Sequence, residues 1–179
     1  MALTKINDAG MPAGSVLQVA SNFITSDFNT ASTSFVTTGL AQAITPLSTS
    51  SKILCIVSIG SWYIGGSGGS GNATVYRGST NIGNGTAGLA HIGVPGLNIP
   101  STLQVLDSPS TTSATTYTVY VRTSGVTTYV SYSSYGHFTI TLMEFAEEGD
   151  TLTLTPEAAS TFVSIVSFEL IPATPRLNF

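Results

Sequence analysis

Residues 138–145 read FTITLMEF, and their alternation decides the fold. Phe138, Ile140 and Leu142 fall on one side of an extended chain, with Thr139 and Thr141 on the other. Successive side chains of a strand point to opposite faces, so a period of two marks a strand with one buried face. Phe162, Val166, Phe168 and Leu170 do likewise, with Ser167 and Glu169 opposite. β-branched and aromatic residues dominate these stretches, as suits a pleated surface.

Outward from this stretch the same reading predicts strands at 15–19, 34–37, 40–45, 52–64, 73–77, 102–106, 115–122, 127–133, 151–155 and 162–171. The connections DSPSTTS, TSG, YG, EEGD and TPEAAS carry turn chemistry, with Gly for positive φ and Asp, Ser and Pro to start turns. Residues 79–100 hold five glycines and two prolines and read as loop with short strand pieces at most. A helical stripe is absent, apart from a candidate turn at Pro156–Ser160. Eight to ten short strands with regular turn signals predict an all-β sandwich or barrel.

One strand departs from alternation. In Ile53-Leu54-Cys55-Ile56-Val57 both faces are apolar, the mark of a strand buried on both sides. One face of a two-sheet sandwich meets the core, so the other must meet something further. A neighbouring subunit is the economical candidate, which makes Ile53, Leu54, Cys55, Ile56 and Val57 a predicted subunit interface. The alternative is a loop such as 79–100 folded over the outer face.

The bulk properties narrow the function. A chain of 179 residues predicts one domain, over 14–179. Residues 1–13 break any period and predict a short N-terminal arm, with Leu3, Lys5, Ile6 and Met11 as its candidate docking residues. Charged residues make up 8% against about 25% for ordinary soluble domains, and about fifty Ser and Thr supply the polarity instead. Net charge is −4, and the five basic residues are scattered singly, so no basic stripe is offered to nucleic acid. The near-apolar run 53–64 is shorter than the ~20 residues of a membrane helix, and the first residues lack a secretory apolar core. Cys55 is alone, flanked by Leu54 and Ile56, and predicts a buried thiol without a disulfide.

Catalytic patterns dissolve on inspection. Gly65–Gly69 fits G-x-S-x-G and Gly66–Gly71 fits G-x-G-x-x-G, yet both motifs need a helix directly after the turn. Here Asn72–Tyr76 reads as strand, and glycines are poor helix starters. Asp107 and His137 follow Ser67 in hydrolase order, an order that two histidines and nine acids make by chance. His91 and His137 lack metal-ligand spacing. Glu144, Glu147, Glu148 and Asp150 read as a solvated turn rather than a cation site. Tyr117, Tyr120, Tyr129, Tyr132 and Tyr135 read as core edge, with sugar stacking as the functional alternative. Asn72-Ala-Thr74 and Asn84-Gly-Thr86 fit the glycosylation pattern, which matters only in a eukaryotic secretory pathway. The expectation is therefore no enzyme, no cofactor, no metal, no nucleic acid and no membrane.

Several stretches together resemble β-sandwich domains of tailed-bacteriophage structural proteins. They are MPAGSVLQV (11–19), ASTSFVTTGL (31–40), ITPLSTSSKILCIVSI (44–59), YRGST (76–80) and EEGDTLTL (147–154). The opening MALTKI is similar to the N-termini of phage fibre and appendage proteins. The resemblance implies a trimeric jelly roll of the tumour-necrosis-factor kind on a virion, made in the host cytoplasm, with no catalytic residues to carry over. It implies a tail-fibre or appendage tip facing a host-surface glycan, the arm docking on other virion proteins. A capsid decoration or cement protein and a monomeric carbohydrate-binding module are the other readings.

Overall fold

The computed structural model describes residues 12–131 and 136–147, all within one compact unit. Every regular element among them is a strand: β1 (Val16–Ile24), β2 (Phe28–Thr30), β3 (Val36–Ile44), β4 (Lys52–Ile64), β5 (Gly71–Arg77) and β6 (Thr80–Asn81). Then follow β7 (Ala90–Ile92), β8 (Asn98–Asp107), β9 (Thr115–Thr123), β10 (Thr128–Val130) and β11 (Phe138–Phe145). The arm residues Leu3, Lys5, Ile6 and Met11 and the expected strands at 151–155 and 162–171 lie outside the described residues.

Two antiparallel sheets form. One runs β1-β11-β4 with β8 on the far side of β4, and the short β10 pairs with the last residues of β4, past the end of β11, and carries β2 beside it. The other runs β3-β9-β5, with β6 and β7 both paired to β5. Along the chain, the long strands pass repeatedly from one sheet to the other, the connectivity of a jelly roll. The fold is thus an all-β antiparallel sandwich, as the alternation predicts.

Between the sheets lies the core. Ile53, Cys55, Val57 and Ile59 point inward from β4 and are fully buried, facing Val75, Val119 and Val121 of the other sheet in one hydrophobic cluster. Burying such a side chain contributes about 1.5–3 kcal/mol. Trp62 is buried too, and its Nε1–H donates to Thr128 Oγ1 at 2.8 Å, so the indole hides no unpaired donor. Burial pushes the Cys55 thiol up to about 12, with the nearby Asp107 charge adding to the effect. A rise of this size cuts the thiolate fraction roughly a thousandfold. Thiol reagents at neutral pH are therefore expected to leave Cys55 unmodified in the native protein and to label it fully in denaturant, measured by mass spectrometry.

Two differences from the sequence reading have plain causes. The expected strands 34–37 and 40–45 are one strand, β3, whose register against β9 slips between Thr37 and Ala41. Gly39 stands at φ +83° there, a conformation glycine adopts cheaply, and Thr38 Oγ1 replaces a ladder bond by donating to Val119 O at 2.9 Å. Similarly, β8 starts at Asn98 rather than Thr102, so part of the 79–100 segment is strand. Its Pro100 is tolerated because β8 has β4 as its only strand partner among the described residues, and proline suits a strand with one unpaired edge.

The rims of the sandwich are stitched differently. On the β1 side, Gln18 Nε2 donates to Thr45 O (2.8 Å) and Asn22 Nδ2 to Ala41 O (2.9 Å), so side-chain amides of β1 reach the backbone of β3 and of the residue just after it. On the β8 side, Asp107 accepts two hydrogen bonds from Arg77 Nη1 of β5 (2.8 and 2.9 Å) and one from Tyr117 Oη of β9 (2.7 Å). One carboxylate thereby joins three strands of two sheets.

Candidate functional site

The predicted interface residues divide between the two faces of β4. Ile53, Cys55 and Val57 belong to the core, so they cannot touch a neighbour. Leu54 and Ile56 face outward and are half-buried by the strands beside them. The structure therefore keeps two of the five at a surface, because alternate residues of one strand go to opposite faces.

Strand register then shows what accompanies Leu54. It lies opposite Leu106 of β8 and Met143 of β11, and Met143 lies opposite Val19 of β1. Val19, Met143, Leu54 and Leu106 thus form one apolar row across four strands, with Val19 57% and Leu106 60% exposed at its ends. The next rows are mostly polar: Ser21, Thr141, Ile56 and Gln104, then Phe23, Thr139, Ser58 and Thr102. A signal for the row is present in the sequence. Ile53-Leu54, Val105-Leu106 and Leu142-Met143 are apolar doublets, and a doublet in a strand places hydrophobes on both faces. Read singly they look like noise; only the pairing register aligns them.

Beside the row is a groove of about 350 Å³ lined by Gly14, Lys52, Leu54, Leu106, Phe145, Ala146 and Glu147. Lys52 Nζ donates to Ser108 Oγ at 2.8 Å at its edge. Residues 78–92 do not lie over this face. They are tied to β5 of the other sheet through Ile82 N to Val75 O (3.0 Å), Leu89 N to Ala73 O (2.8 Å) and the β7 pairing. Residues 98–100, the end of the segment offered as the alternative cover, extend the sheet as part of β8.

Other candidates resolve as follows. The acidic cluster comes apart: Glu144 is fully buried, correcting the solvated-turn reading, while Glu147 lines the groove and Glu148 and Asp150 lie outside the described residues. Glu144 continues the inward series of Phe138, Ile140 and Leu142, and its Oε1 accepts from Leu47 N–H at 2.7 Å while Oε2 accepts from Gln18 Nε2. Among the described residues, no three His, Cys, Asp or Glu side chains converge as metal ligands. Gly66, Ser67 and Gly68 form an exposed turn between β4 and β5, with strand rather than helix following, so no helix N-terminus meets Ser67. His137 stacks on Phe23 with centroids 5.4 Å apart, and His91 Nδ1 lies 3.1 Å from Asn72 Nδ2. Tyr117 is buried, and desolvation with its bond to Asp107 raises its hydroxyl well above the usual range, keeping it a donor. Tyr120 packs on Tyr76 (4.1 Å) and Tyr129 on Tyr63 (5.7 Å), while Tyr132 and Tyr135 lie outside the described residues.

No protein-family model matches the chain, and no curated protein matches it in sequence. Among solved structures it is similar to the VP2 subviral particle of infectious bursal disease virus, at 11% identity and a TM-score of 0.39, over 75% of this chain and 38% of that one. It is also similar to the Gt strain of the same virus, at 11% identity and 0.41, over 78% and 40%. T=1 particles derived from that virus give 12% and 0.39, over 75% and 37%. The chain spans about two fifths of the length of these structures.

Proposed function

We propose that the protein is a non-enzymatic structural component of a virion, a homotrimer attached to other virion proteins through residues 1–13. The observation that carries this reading is the uncharged apolar row on the outer face of β4. Exposed apolar side chains aligned in one row, Val19 at one end and Leu106 at the other, suit a surface that a partner covers. Assembly by apolar and hydroxyl contacts also suits a chain with 8% charged residues, since such contacts are insensitive to salt. A tail-fibre or appendage tip reaching a host-surface glycan is the form we favour. The decoration-protein reading differs from it in where the arm docks.

The test begins with the mass of the purified protein in solution. It is expected to be three times the chain mass of 18.5 kDa, and to be unchanged between low and high salt. A stable monomer at all accessible concentrations would overturn the assembly reading and favour the carbohydrate-binding module. Deleting residues 1–13 is expected to preserve the trimer and abolish incorporation into particles; incorporation at the full level would refute docking by the arm. Labelling the incorporated protein in images of intact particles then separates tail from head.

A further inference from the structure

We infer that the face of β1, β11, β4 and β8 is where a second copy of this chain packs, with Leu106 and Leu54 as anchors beside the groove. The inference rests on the assembly reading and deepens it by naming the surface.

Three features favour a second copy as the occupant. The first is area. Four strands about 4.8 Å apart, over the eight β4 residues 52–59 at about 3.3 Å each, span roughly 500 Å² in plan. That is most of the ~800 Å² per partner buried in a standard protein interface, and more than a passing contact uses. The second is charge. Across the rows that begin at Val19, Ser21 and Phe23 no residue is ionisable, so copies of the face converge on a threefold axis without like-charge repulsion. The third is continuity. The row ends at Leu106, on a strand whose only partner among the described residues is β4. No Lys, Arg, Asp or Glu occurs from Asn98 to Leu106, although charged residues are a usual guard of a free strand edge.

The anchors follow from geometry. Leu106 combines 60% exposure with a position on the groove wall, and Leu54, one of the row's two inner residues, lines the groove beside it. Interface energy concentrates in a few well-packed residues, and side chains that line a groove are the ones a partner packs most tightly.

The experiment is the solution mass and dissociation constant of the full chain carrying Leu106→Lys or Val19→Lys. Both positions are exposed, so the fold is expected to survive, and circular dichroism with a thermal melt confirms it. Each variant is expected to weaken self-association by about 30-fold or more. Thr116→Lys, on the exposed outer side of β9 in the other sheet, is the control expected to assemble normally. A second readout is Leu106→Cys: the native thiol is buried, so an oxidised or bis-maleimide product between chains forms through the new residue alone. Crosslinked chains are expected when the wild type is an oligomer. An oligomeric wild type whose folded lysine variants keep full affinity, with no crosslink, overturns this surface and leaves the assembly reading standing. A monomeric wild type overturns both.

Discussion

Asp107→Ala is expected to lower the free energy of unfolding by about 3 kcal/mol, measured by urea titration with an unchanged slope. Asp107 is 11% exposed and Arg77 29%, and the carboxylate also takes the buried Tyr117 hydroxyl. Removing one member of such a cluster leaves a guanidinium and a phenol facing each other in partly desolvated surroundings. Breaking a fully buried pair costs about 3–5 kcal/mol, and the low end applies because Arg77 can still reach water. Asp107→Asn keeps an acceptor for Tyr117 while losing the charge, and is expected to fall near half the alanine effect. Tyr117→Phe removes one hydrogen bond and is expected to cost about 1 kcal/mol. That order of severity, Ala over Asn over Phe at its partner, is the signature of a rim closed by one carboxylate. A loss below about 1 kcal/mol for the alanine would show that strand pairing and core packing close this side without it.

The fold was legible where the sequence pattern and the physics share a period. Alternation over Phe138–Phe145 and the long run Lys52–Ile64 follow from having one or two buried faces, and both strands appear with those bounds. What failed to show was anything set by partners distant in the chain. Gly39 looks like a break between strands because its role, a bulge against β9, exists only once β9 is alongside. Pro100 looks like loop because the sequence does not say which strands will be edges. The candidate interface was half visible for the same reason. Two-sided hydrophobicity in 53–57 pointed to β4, but the row it belongs to is assembled from four strands, and register is a tertiary property. Asp107 likewise read as turn chemistry, since Arg77 and Tyr117 lie 30 and 10 residues away.

Glu144 is the sharpest case, and it yields the second large effect. Its place in the alternation FTITLMEF argued for the interior, whereas its neighbours Glu147, Glu148 and Asp150 argued for water; the alternation won. The reason is that two part-buried donors await it at the rim. Leu47 N–H at 2.7 Å and the Gln18 amide each need an acceptor where β1, β11 and the 45–47 turn converge. Glu144→Ala is expected to cost about 3 kcal/mol, combining part-buried donors left unpaired, at the low end of about 1–3 kcal/mol each, with the space vacated by the fully buried side chain. Gln18 keeps its bond to Thr45 O, which moderates the loss. Glu144→Gln retains an oxygen for Leu47 N–H but sets an amide N–H against, or away from, the Gln18 amide, and is expected to cost about 1 kcal/mol. Glu144→Leu fills the volume and satisfies neither donor, so it should fall between them. Hydrogen exchange distinguishes this role from general loosening: in the alanine variant, the amides of Leu47 and of β1 should lose protection first, while those at the centre of β9 keep theirs. Because β1 carries Val19, the same variant should also self-associate more weakly than its remaining stability alone predicts. Normal association with β1 deprotected would separate the carboxylate's structural work from the outer face.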